Sequence, residues 1–301
     1  MKKRVGFVFL ILHFGPVRLT LDTLESVLAL PEDDKAIVVV DNGSHEAAPA
    51  IGERFPSDDR IIVTETEKNL GFSAGNNAGF ALIRQNFDTD FVIVINNDMS
   101  FEDRSFLSKL RHLYEETGFF VAGPDVYTPN EVLHSNPFRE KVMDIEDAKA
   151  QIGRHVQKMK DYEHGRALHC LVSFCRRKKN PLYIAFRKVK TAIHPDTPWK
   201  KRQEGVVLQG SCLIFDRRFI EGHDKLFEPE VFLYHEEDFL ALRCKREGLK
   251  MVYLPEIRVW HMHAGSAGIS GMGFKEFCRG SIERRRMMAD SCRKYLEMLS
   301  Q

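Results

Sequence analysis

With 301 residues, 43% of them hydrophobic, the chain has enough apolar material for a substantial core in one large or two small domains. Its 44 basic and 43 acidic residues leave a net charge of +1, which carries no general nucleic-acid signature. The six cysteines, Cys170, Cys175, Cys212, Cys244, Cys278 and Cys292, include no CxxC pair and no small-domain framework, so a reduced cytosolic setting is expected and a zinc site is not.

In chain order, Val5 to Leu12 reads as a first buried strand. Lys2, Lys3 and Arg4 precede it as in a secretory signal, but the apolar run is short, is cut by His13 and lacks a small-residue cleavage site. No later stretch is long and apolar enough to cross a bilayer. Leu21, Leu24, Val27 and Leu28 recur at helical spacing, with Asp22 and Glu25 in the early turns and Pro31 as the stop. Ala36 to Val40 is a second strand that runs into Asp41, Asn42, Gly43 and Ser44, and Arg60 to Thr64 is a third. A helix over about Ser73 to Arg84 leads to Phe91 to Ile95, a β-branched and aromatic run without polar alternation, as suits a strand buried on both faces of a mainly parallel sheet. This βαβαβ order predicts an α/β, Rossmann-like, nucleotide-binding half.

Polar residues stand at the carboxyl ends of these strands, where ligands gather in open α/β sheets. Asn96, Asn97 and Asp98 end the central strand; they can reach a polar ligand or metal, or simply form an Asx-type turn. In NLGFSAGNNAGF, Asn69 to Phe80, Gly71, Gly75 and Gly79 let backbone approach a ligand or pack tightly, Ser73 is the expected N-cap, and Asn69, Asn76 and Asn77 offer amides. Such a helix start can receive a phosphate or nucleobase, or serve packing alone. Its spacing matches neither GxGxxG nor GxxxxGK[ST], so dinucleotide and P-loop readings fail.

Further on, residues from about Val132 to Glu204 are long for a connection and are expected to hold helices of their own. Within them, Arg166 to Lys190 interleaves basic and aromatic residues, which suits an anionic membrane surface or a solvated face of an inserted lobe. Val206 to Phe215 reads as a strand. A helix then opens on Glu236, Glu237 and Asp238 and ends at Gly248; acids there suit the helix dipole, and a carboxylate at a site rim can also take a proton from a hydroxyl. His261 and His263 follow a strand-like run, Arg258 to Trp260, and would face opposite sides of a continuing strand, so both are not expected on one ion. Phe274 to Gln301 reads as one or two amphipathic helices packed on the core, with dimerisation or a membrane surface as alternatives.

VVVDNGS, NLGFSAGNNAGF and VIVINNDMS, in this order, resemble the nucleotide-sugar half of family 2 glycosyltransferases, particularly the rhamnosyltransferase-like branch with a GT-A fold. VLQGSCLIFDRR, FLYHEEDFLALRCKREGLKMVYLP and VWHMHAGS resemble the same family's acceptor-side strand, acidic helix and late histidine motif, so the likeness covers about residues 1–130 and 205–270. The resemblance implies that Asp41 contacts the nucleobase and that Asn42, Asn69, Gly71, Gly75, Asn76 and Asn97 surround the nucleotide. Asp98 falls at the last position of the family's DxD-type metal motif, whereas Asn96 stands at the first, where many members have Asp. Glu237 falls at the position of the base beside Glu236, and His261 at that of the residue reaching the metal or diphosphate.

The implied protein is an inverting, Mn²⁺- or Mg²⁺-dependent transferase of a UDP- or dTDP-linked sugar to a saccharide or lipid-linked saccharide acceptor in cell-surface glycan synthesis. Its setting would be cytoplasmic or peripheral at the inner membrane face. The implied division is 1–130 for the nucleotide sugar, 131–204 as a helical, basic insertion, 205–270 for acceptor and catalysis, and 271–301 as a helical tail. The alternative is a catalytically inactive, nucleotide-sugar-binding subunit of a polysaccharide assembly complex.

Overall fold

A computed structural model of the chain describes residues 2–129, 133–163, 174, 198–262 and 273–301. Its strands are β1 (Lys3–His13), β2 (Lys35–Asp41), β3 (Ile61–Glu65), β4 (Phe87–Asn96), β5 (Met99–Ser100), β6 (Val121–Thr128), β7 (Leu133–His134), β8 (Gln203–Glu204), β9 (Cys212–Asp216) and β10 (Met251–His261). The helices are α1 (Val17–Leu28), α2 (Ala47–Arg54), α3 (Gly71–Asn86), α4 (Phe106–Thr117), α5 (Ile145–Glu163), α6 (Arg217–Gly222), α7 (Glu236–Glu247) and α8 (Phe274–Leu299).

One sheet runs in the order β3-β2-β1-β4-β9-β6-β10-β5, with β7 on β6 and β8 on β10. β3, β2, β1 and β4 are mutually parallel, β9 is antiparallel to both β4 and β6, and β10 is parallel to β6. The carboxyl ends of β1, β2, β4 and β10 therefore share one edge with the amino end of β9. Each apolar run is continuous because both sheet faces are covered. Phe7, Phe9, Ile11, Phe91, Ile93 and Ile95 meet α1 and α4, while Val8, Leu10, Val92 and Val94 meet α3, α6 and α7. This is the α/β architecture that the strand-and-helix order predicts.

One expectation changes. The strand expected over Val206 to Phe215 begins only at Cys212, because Val206, Val207 and Leu208 leave the sheet edge to pack over one of its faces. The tail forms a single helix, α8, whose Cys292 and Tyr295 pack with Met143 and Ala148 near and within α5 and with Phe239 and Leu242 of α7. The basic stretch Arg166 to Lys190 lies, Phe174 aside, outside the described residues, as does His263. Among the described residues no helix is long and apolar enough to cross a membrane.

The glycines of α3 serve packing. A Cβ on Gly75 would lie 2.6 Å from Leu12 Cδ1, and one on Gly79 would meet Leu10 Cδ1 and lie 2.6 Å from Val40 Cγ2. Small residues four apart thus seat α3 on β1 and β2. Gly79→Val should overpack this seam and destabilise the fold by roughly 1–3 kcal/mol. Urea titration checks this, and an unchanged midpoint would show that α3 is not seated so closely.

Candidate active site

The shared sheet edge gathers most of the expected site residues, but it divides them into organisers and groups open to a substrate. Asp41, at the end of β2, is fully buried. Its Oδ1 accepts from Ser44 N (2.8 Å) and Ser44 Oγ (2.7 Å), and its Oδ2 from Glu46 N and Ala47 N (both 2.9 Å). These donors fill the four acceptor positions of a carboxylate. Burial alone would raise this carboxyl, but the Ala47 and Ser44 donors outweigh it and hold the pKa at about 2. Asp41 therefore fastens the start of α2; contact with a base would require it to give up one of these bonds.

Asn42 is an organiser as well. Its Nδ2 donates to Asn69 Oδ1 (3.0 Å) and Gly71 O (3.2 Å), while its Oδ1 accepts from Leu70 N (2.9 Å). Asn69 Oδ1 also accepts from Gly71 N (2.8 Å). These two amides cap α3 in place of Ser73, which is buried inside the helix. Gly71 has φ +80°, and a Cβ there would run into the Phe232 backbone, whose carbonyl accepts from Phe72 N at 2.7 Å. The N–H groups of Leu70, Gly71 and Phe72 are thus all occupied by the chain itself, so this helix start does not offer them to a phosphate. Asn76 is buried within α3 and donates to Phe72 O at 2.9 Å. Asn77 clamps the loop before α7, donating to Phe227 O and accepting from Leu226 N and Phe227 N at 2.9–3.1 Å.

At the end of β4, Asn97 Nδ2 donates to Thr20 Oγ1 (3.1 Å), which also meets the buried His13 Nδ1 (2.6 Å). Burial holds the His13 imidazole below its ordinary value. Asp98 Oδ1 lies 3.1 Å from His261 Nε2, a pairing secured by the β5–β10 ladder and by Met262 N donating to Asp98 O at 2.9 Å. Both side chains are largely buried. Among the described residues no three potential ligands cluster for a metal ion. A carboxylate oxygen beside an imidazole nitrogen nevertheless suits a divalent cation whose remaining ligands come from a diphosphate and water.

Asn96 connects this corner to α7. Its N–H donates to Ser211 O (3.0 Å), and the adjacent Gly210 N donates to Glu237 Oε1 at 3.2 Å. Glu237 is half-buried, and burial raises its carboxyl pKa, the Gly210 N–H partly opposing that. Glu236 is more deeply buried, its Oε2 has no hydrogen-bond partner among the described residues, and burial together with the Glu237 charge raises its pKa well above the usual carboxylate range. Asp238 is fully buried between Arg139 Nε (2.9 Å to Oδ1) and His235 Nδ1 (2.7 Å to Oδ2).

Arg139, His235, His13 and Thr20 were not expected here. Arg139 stands 99 positions from its partner, and no local pattern marks it. His235 directly precedes the acidic run, which is the one signal that could have drawn attention to it.

The sign for Asp41 follows from its depressed pKa: its contribution is present above the ordinary 3.8 and is lost as pH falls toward about 2. Asp41→Ala should cost roughly 2–3 kcal/mol near neutrality. Urea unfolding of wild type and variant should converge as pH drops through that window; a gap that is unchanged by acid would contradict the assignment.

Comparison with known proteins adds three findings. The model of the family described as Glycosyl transferase family 2 matches residues 18–181. A curated relative, the uncharacterized protein y4gI of Sinorhizobium fredii (strain NBRC 101917 / NGR234), is 23% identical over 250 residues; the match covers 82% of this chain and 23% of that protein, so the chain spans under a quarter of its length. Among solved structures, S. aureus TarS 1–349 is similar with a TM-score of 0.51 at 11% identity, covering 94% of this chain and 72% of that one. The same protein in complex with UDP gives 0.52 at 12% identity, covering 85% and 60%. At such identities the likeness shows the fold.

Proposed function

Because the chain belongs to glycosyl transferase family 2, we propose that it moves a sugar from a nucleotide-diphosphate sugar to a saccharide hydroxyl with inversion at the anomeric carbon. The observation that carries this reading is Glu237: a carboxyl with a raised pKa at the start of α7, tied through Gly210 and Ser211 to the end of β4, where Asn97 and Asp98 stand. A solved structure of this fold is in complex with UDP, which supports a UDP- or dTDP-linked donor. The rhamnosyltransferase-like branch and a lipid-linked acceptor at the inner membrane face belong to the same proposal.

In this reading, residues 1–130 cradle the donor and 205–270 carry the acceptor chemistry. Asn42, Asn69 and Gly71 shape the donor side through their mutual bonds, and Asp41 does so by fastening the start of α2. Glu237 Oε1 is held by Gly210, so Oε2 takes the acceptor proton as the acceptor oxygen attacks the anomeric carbon. The bond from that carbon to the diphosphate oxygen breaks, and its electron pair leaves with the diphosphate. A carboxylate more basic than usual is suited to this step. Asp98 and His261 would hold Mn²⁺ or Mg²⁺, which neutralises charge on the diphosphate when bound.

Glu237→Gln keeps size and removes basicity, so turnover should fall roughly a hundredfold or more with donor affinity near wild type. Glu236→Gln, on the adjacent and more buried position, should retain far more activity. Steady-state kinetics with donor titration checks both, and a reversed order would move the base to Glu236. Because the Glu237 pKa is raised, the rate should decline as pH falls through that raised value, and not only within the ordinary carboxylate range.

Chelator, or Asp98→Ala, should remove most turnover; full activity in either would take the metal out of the mechanism. The second reading, an inactive donor-binding subunit, draws on Asn96 standing where many members carry Asp. It predicts donor binding without transfer, and indifference to Glu237→Gln.

A further inference from the structure

Phe138 is a large aromatic residue with 44% of its surface exposed, yet its backbone is paired and a guanidinium lies against its ring. Its N–H donates to Val207 O (2.9 Å), and Val207 N donates to Arg139 O (2.9 Å). On the same paired segments, Gln209 N donates to Asn136 Oδ1 at 2.7 Å, and the next residue, Gly210, donates to Glu237 Oε1. The Arg139 guanidinium carbon lies 4.9 Å from the centroid of the Phe138 ring, and Arg139 Nε is anchored 2.9 Å from the buried Asp238. The ring is thus tied to the first turn of α7 twice, through the Val207–Gly210 backbone and through Arg139.

From this geometry we infer that Phe138 is the stacking platform of an acceptor subsite, taking the apolar face of a pyranose ring in a saccharide whose hydroxyl is presented to Glu237. The inference rests on the glycosyl-transfer reading and names the acceptor side of that site. A pyranose exposes C–H groups on a face and hydroxyls around its edge. An aromatic ring with a negative face suits the former and leaves the latter hydrated or free for the base. A single exposed phenylalanine is ordinary on a protein surface. This one differs in lying against a charged neighbour and in being linked, through Arg139 and the Val207–Gly210 backbone, to the turn that carries the proposed base, so little side-chain entropy is lost when a sugar stacks on it.

The test is binding of the full chain, with saturating UDP, to an immobilised array of hexopyranose oligosaccharides. Wild type should retain a subset of glycans, Phe138→Ala should bind that subset roughly tenfold more weakly, and Phe138→Trp should keep the binding. Equal thermal unfolding of the variants shows that the fold is intact. Undiminished retention by Phe138→Ala would overturn the inference, as would a wild type that retains no glycan. A change in sedimentation with unchanged glycan binding would assign the ring to contact with a second copy instead, and so would also overturn it. UDP-induced stabilisation of wild type is read separately, so failure of the donor reading is distinguishable from failure of the platform.

Discussion

The arrangement of this site depends on one buried carboxylate. Asp238 has no exposed surface, and each of its oxygens meets a basic group, Arg139 on one side and His235 on the other. Removing one partner from such a buried pair typically costs about 3–5 kcal/mol, because the other charge is left uncompensated. The chain enters α7 through Tyr234 and His235, both at positive φ (73° and 69°), a conformation that non-glycine residues adopt only when their surroundings enforce it. The Asp238–His235 contact closes this turn, and the Arg139 contact ties it to the segment running beside Val207. Glu236 and Glu237 are therefore presented from a turn fixed at both ends.

The helices outside the sheet extend this constraint. α7 buries Leu240, Ala241 and Cys244 toward the sheet and Phe239 and Leu242 toward α5 and α8. Tyr295 of α8 packs edge-on against Phe239 and donates its hydroxyl to Met143 O at 3.0 Å, while Ser291 Oγ reaches Leu233 O at 2.9 Å. The C-terminal helix thus braces the segment that leads into the proposed base. The two classes of carboxylate at this edge follow from the same physics. Asp41, saturated with donors, is held at about 2, whereas the half-buried Glu237, where burial outweighs its backbone donors, is raised. Environments that push titratable groups apart separate structural from reactive roles.

Much of this was legible in the sequence where the physics is local. β1, β2 and β4 follow from uninterrupted β-branched and aromatic runs, α7 from its acidic start and terminal Gly248, and the strand-end position of Asp98 from the abrupt stop after Ile95. What escaped depends on partners far along the chain. Ser73 looks like an N-cap by local rule, but Asn42, 28 positions before Leu70, takes that role. Arg139 has no local pattern, and Asn77, legible only as an amide in the glycine-rich motif, is taken up by Leu226 and Phe227, because each is defined by a loop that folding brings to it. Val206 to Leu208 read as strand by composition, and they are buried, but against a sheet face and outside the ladder.

The central claim, that this edge of the sheet carries out glycosyl transfer, is tested most directly by nucleotide release from a panel of nucleotide sugars, with saccharide acceptors present and mass spectrometry of the products. The account predicts that at least one uridine- or thymidine-linked sugar is consumed and that an acceptor gains the mass of that sugar. Binding of a nucleotide sugar without release and without product, across the whole panel, would contradict it.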